Sequence, residues 1–223
     1  MQDEIKIDRI IRSRRKSIAL VVSPEATLIV RAPMRVSLEY IKDLISRKRL
    51  WIERKKKQVL KNGAPVKAKE FTDGEEFLYL GESYKLKITA VKKIEIGNYL
   101  FFPVKYLSRA RVKMIEWYKQ KAQEEITKRL RLFSALTGWS FKSISITSAK
   151  TRWGSCGRKG SINFTWRLIM APLSVIDYVV VHELTHTIER NHSAKFWSKV
   201  KTVLPDYKNQ QKWLRDNGAN FRI

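Results

Sequence analysis

The chain has 223 residues, enough for a substantial core, and its 43% hydrophobic content excludes a disordered polymer. Its 46 Lys and Arg against 21 Asp and Glu give a net charge of +25. An excess of that size implies either a polyanionic partner (nucleic acid, nucleotide or acidic protein) or a solvated basic surface. The single cysteine, Cys156, excludes an internal disulfide. With no apolar signal region at Met1–Lys6 and no apolar run of membrane-spanning length, the expectation is a cytoplasmic protein with no membrane partner.

Along the chain, residues 5–32 read as two or three strands, with Ser17–Val22 and Thr27–Val30 flanking the turn signal Ser23-Pro24-Glu25. Residues 37–62 read as one long helix, because Leu38, Ile41, Leu44, Ile45, Ile52 and Val59 recur at helical spacing. Its polar face carries Arg47-Lys48-Arg49 and Arg54-Lys55-Lys56-Lys57, the densest basic stretch, and Gly63-Ala64-Pro65 ends it. Residues 70–104 suggest a β unit. Phe77–Gly81 and Tyr84–Ile88 form one hairpin, and Lys93–Ile96 and Tyr99–Phe102 pair around Gly97-Asn98. A second long helix covers 108–136, with an inner stripe of Met114, Trp117, Tyr118, Lys121, Ile126, Leu130 and Phe133, and Gly138 closes it. Residues 143–147 and 161–166 alternate as strands on either side of a Gly-rich turn, 150–160. A mainly apolar helix follows Pro172, with Ser174 as expected cap and Asp177 completing a capping box. Two further helical segments lie near 194–204 and 206–217. The expected class is α+β. A β-rich N-terminal region with a long basic helix (1–105) precedes a compact catalytic core (106–223) of helix, mixed sheet, active-site helix and C-terminal helices.

All three histidines fall within eleven positions, His182-Glu183-Leu184-Thr185-His186-Thr187-Ile188-Glu189-Arg190-Asn191-His192. On a helix, His182 and His186 project from one face, and Glu183 sits where its carboxylate can reach a metal-bound water. His192 would point about 240° away from His186 if the helix continued. The chain must therefore turn between about 188 and 192, and Asn191 is the residue suited to a left-handed cap there. The five-residue gap equals that of metzincins, but Glu189 stands where their turn carries glycine, so a standard metzincin is not expected. Three neutral imidazoles and a water make the open tetrahedral set of a catalytic zinc site, or of another divalent transition metal. A structural site would recruit a fourth protein ligand. Cys156 is the one thiol available for that duty, or for a nucleophile, and a small buried thiol is the plainer reading.

Thr151-Arg152-Trp153-Gly154-Ser155-Cys156, Trp166–Pro172, Tyr178–His186, and Asn191-His192-Ser193 with Phe196-Trp197 together resemble the YgjP-like family of metal-dependent hydrolases, relatives of the SprT and WLM zincins. The N-terminal Arg12-Ser13-Arg14-Arg15 is similar as well, so the resemblance covers nearly the whole chain. It implies a minimal zincin core, zinc on His182, His186 and His192, and Glu183 as base. Thr185 stands where Ala is common. Family members carry both metallopeptidase-like and nucleoside triphosphate pyrophosphatase labels.

The expected chemistry is hydrolysis by a metal-activated water whose proton Glu183 accepts. The electrophile is a peptide carbonyl or a phosphorus centre, and a strand from 143–166 beside the active helix would offer an edge to an extended peptide. Arg152, Tyr178 and Tyr207 are the candidate oxyanion stabilisers, Arg152 foremost because its Gly-rich turn matches the family. Glu189 and Asp206 are the candidate carboxylates to orient a ligand imidazole. Three classes stay open: a zinc peptidase, a nucleotide hydrolase suited by the basic charge, and a nucleic-acid-associated SprT-like protease joining both. A purely structural zinc module would leave Glu183 without a task.

Overall fold

The computed structural model describes residues 5–23, 25–61, 68–221 and 223. Pro24 and the Gly63-Ala64-Pro65 stop signal lie outside them. The chain forms two compact units, 1–67 and 68–223. This moves the division from 105/106 to 67/68. The reason is that the strands between 76 and 103 bury Phe77, Leu86, Leu100 and Phe102 in the same core as Met114, Tyr118 and Trp166.

In the first unit, β1 (Arg9–Ser13), β2 (Ala19–Val22) and β3 (Leu28–Pro33) form a sheet of order β1-β3-β2, parallel at β1/β3 and antiparallel at β2/β3. Leu28, Val30 and Ala32 alternate inward along β3 and meet Ile41, Ile45 and Ile52 from the helices. The expected single helix is two, α1 (Leu38–Arg47) and α2 (Arg49–Lys61). The break falls at Lys48, whose N–H is shared between the carbonyls of Leu44 and Ile45, a tightened last turn with no Gly or Pro to announce it. Ser37 caps α1 by accepting from the Tyr40 N–H at 3.2 Å.

In the second unit, β4 (Glu76–Tyr79), β5 (Glu82–Thr89), β6 (Glu95–Ile96) and β7 (Leu100–Pro103) form a sheet of order β4-β5-β7-β6. Both expected hairpins are present, and β5 runs parallel to β7. Gly81, at the first hairpin turn, has φ +89° and lies so close to Pro172 that a Cβ would approach its Cα to 2.9 Å. The turn also donates from Leu80 and Gly81 N–H to the carbonyls of Ile169 and Met170, at 2.8 and 3.2 Å. The hairpin thereby sets where the next helix begins.

Helix α3 (Ala110–Thr137) buries Met114, Trp117, Tyr118, Ala122, Ile126, Leu130 and Phe133, and Gly138 terminates it at φ 72°. Ala122 fills the stripe where Lys121 was expected; a lysine keeps its ammonium in water, and Lys121 turns outward to Glu124 at 2.8 Å. A second sheet of order β8-β10-β9 joins β8 (Ser143–Thr147), β9 (Gly154–Cys156) and β10 (Ser161–Thr165). The expected Gly-rich turn thus contains a strand, antiparallel to β10 and at the sheet edge.

Helix α4 (Leu173–Thr185) is buried almost throughout, against α3, β9, α5 (Ala194–Val203) and α6 (Tyr207–Asn217). Ser174 and Asp177 do not form the expected capping box. The helix starts one residue after Pro172, whose carbonyl accepts from Val175 and Ile176 N–H. Asp177 instead accepts two bonds from the Arg129 guanidinium of α3, at 2.5 and 2.6 Å. Burial pushes its carboxyl up and Arg129 opposes this. A buried carboxylate needs such a bidentate partner. No helix among the described residues is long and apolar enough to cross a membrane.

Candidate metal centre

Helix α4 delivers His182 and Glu183 in its last turn and His186 as its C-cap. The chain then leaves helical geometry at once, with Thr187 and Glu189 N–H donating back to the carbonyls of Leu184 and Thr185 at 3.0 and 2.9 Å. The turn comes earlier than the expected 188–192, and Asn191 does not adopt positive φ. No left-handed residue is needed because these back-donated bonds already satisfy the last carbonyls. Ser193 caps α5 by accepting from Phe196 N–H, so His192 stands directly before a fixed helix start.

The result is convergence. His192 Nε2 lies 3.1 Å from Nε2 of both His182 and His186. Two imidazole nitrogens on one tetrahedral zinc are about 3.3 Å apart, given Zn–N bonds of about 2.0–2.1 Å. His186 Nδ1 lies 3.0 Å from the Glu189 carbonyl, which can only accept, so the neutral ring carries its proton there and turns a bare Nε2 inward. Burial, then the charges of His186 and His192, push His182 down to about 3. It is therefore neutral, the form a metal ligand requires. Lone pairs this close repel one another unless a cation lies among them, so the donor set fits a divalent metal.

Phe196 touches all three rings, with centroid distances of 5.0, 4.6 and 4.8 Å to His182, His186 and His192. Trp197 stacks on His192 at 5.7 Å and on Tyr207 at 5.3 Å, and Tyr207 stacks on Tyr178. Arg190 spans from the ligand loop to the end of β9, donating to the carbonyls of Gly157 and Arg158 at 2.9 and 2.5 Å. Neither Arg190 nor Trp197 is among the expected site residues. An arginine between two ligands is the only signal the chain offers for the first, and the Phe-Trp pair after the last ligand for the second.

Glu183 is buried, and its side chain lies against the backbone of edge strand β9. A Cβ on Gly154 would sit 2.5 Å from Glu183 Cγ and 2.7 Å from Oε1. Only glycine leaves that room. Burial raises the Glu183 carboxyl to about 7, against the opposing charge of Arg152. Arg152 is itself exposed, on the segment entering β9. A cavity of about 280 Å³ adjoins the site, walled by Trp153, Tyr178, His182, Glu183 and Leu214.

Of the remaining candidates, Tyr178 edges His182 at 5.9 Å and is within this wall, and Tyr207 is buried behind it. Glu189 orients His186 through its carbonyl and not through the expected carboxylate, and Asp206 serves as the residue before α6. A chain carbonyl suffices because the tight turn already brings it to the ring. Burial pushes the Cys156 thiol up, so it stays protonated, donating weakly to the Gly157 carbonyl, and is no thiolate nucleophile.

A buried helix bearing two histidines and a glutamate, met by a third histidine, forms a cluster that could hold a metal ion. Residues 16–217 match the family model of the YgjP-like metallopeptidase domain, and the chain belongs to this family. No curated protein matches it. Among solved structures it is similar to the metallopeptidase zymogen abylysin of Pyrococcus abyssi, at 21% identity and a TM-score of 0.38 over 40% of this chain and 90% of that one.

Proposed function

We propose that the protein is a zinc-dependent peptidase in which His182, His186 and His192 hold the metal and Glu183 is the general base. The observation that carries this reading is the convergence of three imidazole Nε2 atoms beside a buried carboxyl raised to about 7. Zinc, or another divalent transition metal, would supply a Lewis acid and an acidified water.

The chain's own groups do the rest. Glu183 takes a proton from the attacking water and returns it to the departing amine, a task suited to a carboxyl near neutrality. Gly154 keeps β9 close enough to hold Glu183 in one orientation. As the edge strand of its sheet, β9 would offer an extended peptide backbone partners beside the base. Arg152, whose positive charge opposes the upward shift of Glu183, is the group proposed to steady a developing oxyanion. With one cysteine and no disulfide to form, the place of action is proposed to be the cytoplasm.

The +25 charge favours a second reading, hydrolysis of nucleoside triphosphates at the same centre. One experiment separates the two. Zinc-loaded protein is incubated with a peptide mixture and nucleoside triphosphates beside Glu183→Gln, and products are read by mass spectrometry. Peptide fragments absent with the variant are expected. Monophosphate and pyrophosphate in their place would transfer the assignment to nucleotide hydrolysis.

A further inference from the structure

A second cleft, of about 640 Å³, opens in the larger unit between the β6 edge and α3. It shares no lining residue with the metal centre or the adjoining cavity. Its volume is that of a small-molecule site. One wall is aromatic. Tyr79 packs on Trp117 at 5.5 Å between ring centroids, tilted by 45°, and Tyr106 lies under the ammonium groups of Lys105 and Lys113 at 4.9 and 5.4 Å. Trp117 is only 7% exposed, and its indole N–H is buried with no acceptor among the described residues. Such an N–H is rare without a partner, and a small movement of Trp117, one of the cleft's lining residues, would open it to one.

The opposite rim is cationic. Lys113 and Lys121 are neutralised by Glu116 and Glu124, at 2.8 Å each. Lys92 and Lys93, on the bend between β5 and β6, are exposed and have no anionic partner among the described residues. An apolar ligand would leave these two charges unanswered. Inorganic phosphate alone would leave the aromatic wall and the indole N–H unused. A ligand joining a flat heteroaromatic ring to a phosphate uses both, by the stacking and charge that bind single-stranded nucleic acid.

The geometry points to a nucleoside-phosphate site in this cleft, with the base against Tyr79, beside Trp117, and the phosphate at Lys92 and Lys93. Glu95, also in the lining, is placed to accept from a ribose hydroxyl or a base amine. The ligand is either a free nucleotide or one unit of a single strand. The site stands apart from the hydrolytic reading and does not depend on it.

The test uses the full chain, metal-free ATP, and a fluorescent ten-nucleotide single strand. Three proteins are compared: wild type, Lys92→Glu/Lys93→Glu, and the charge-matched Arg54→Glu/Lys57→Glu on exposed positions of α2. Wild type is expected to bind a probe and shift the Trp117 indole N–H signal, which is assigned by its loss in Trp117→Phe. The cleft variant should lose at least tenfold in affinity with unchanged zinc content and melting temperature, and the α2 variant should lose far less. Tighter binding of ATP would name a free nucleotide as the ligand, and tighter binding of the strand a nucleic acid. Equal losses in the two variants would reduce the binding to diffuse charge and overturn the site. So would no binding of either probe, or binding without a shift at Trp117.

Discussion

The two halves of the metal centre are built by different means. Helix α4 supplies His182, Glu183 and His186 from a buried segment, so their relative positions follow from helical geometry alone. The loop after it supplies His192, which is exposed and placed by contacts outside that helix. These are the Arg190 bridge to the turn after β9, the Ser193 cap of α5, the Trp197 stack and the Phe196 ring. One half is rigid because its neighbours are local. The other is only as rigid as the packing around it, so metal affinity should be adjustable from the loop without touching the helix.

The largest effect belongs to the helix. Glu183→Gln is expected to keep one zinc per chain while turnover falls by about three orders of magnitude, within the range for a positioned acid–base group. Metal analysis beside a peptide-cleavage assay checks it, and near-normal turnover would remove Glu183 from the mechanism. Replacing ligands sharpens the comparison. His186→Ala should abolish zinc retention on dialysis, and His192→Ala should leave weak, chelator-labile binding, because the helix pair remains ordered. Equal loss in the two variants would mean that the loop is as preorganised as the helix.

Next comes the strand that holds the base. Gly154→Ala places a methyl where Glu183 Cγ now lies, and the carboxyl must move. A displacement on the order of 1 Å costs about 100-fold in rate. Zinc content should stay the same, and turnover within a fewfold of wild type would show that Glu183 has another productive position.

The helix half was the legible half. The 3.6-residue period, the apolar run from Val175 to Val181 and the His-Glu-x-x-His spacing are all written in adjacent residues. So were the inner stripe of α3 and the two hairpins between 76 and 103. What escaped depended on partners far along the chain or on local backbone bonds that leave no mark in the sequence. Asp177 looked like a cap because its neighbours are helical, yet its partner Arg129 is 48 positions away. Lys48 breaks a helix by a shared backbone bond with no sequence mark. Gly154 reads as part of a Gly-rich turn until the Glu183 side chain is seen against it. The need for a turn before His192 could be deduced, but its position could not, because backbone bonds and not a special residue close it.

The buried base also has a cost in stability, on the helix side only. The Glu183 carboxyl has a proton affinity corresponding to about 7 in the folded metal-free protein, against its ordinary 4.5. A raised carboxyl favours the fold below the unfolded value, and that advantage is lost as pH rises through the folded one. At about 1.4 kcal/mol per tenfold, the metal-free protein forfeits about 3 kcal/mol between pH 4.5 and pH 7. Glu183→Gln cannot ionise. At pH 8 the metal-free variant should therefore melt roughly 6–10 °C above metal-free wild type, and the gap should shrink at pH 5. Calorimetry at the two pH values decides it, and a gap independent of pH would mean that the carboxyl is not held neutral by burial.

The smallest expected effect tests the loop half. Trp197→Ala removes the face on which His192 stacks, and Arg190→Ala removes two bonds that fix the segment between the second and third ligands. Neither residue supplies a ligand atom, so each should act by positioning the histidines, Arg190 through the loop that carries His192 and Trp197 through His192 and, at 5.8 Å, His182. The expected loss of zinc affinity is about tenfold for each, the lower end for groups that orient a metal-binding histidine. Chelator competition measures it. A structural role would lower the melting temperature of the metal-free protein as much as that of the zinc form, whereas a positioning role lowers mainly the zinc form. Trp197→Phe supplies the remaining discrimination. It keeps an aromatic face at the same place, so recovery of most of the affinity assigns the effect to stacking on His192. No recovery would assign it to the bulk of the indole against Tyr207, and His192 would then be held by Arg190, the Ser193 cap and the Phe196 ring.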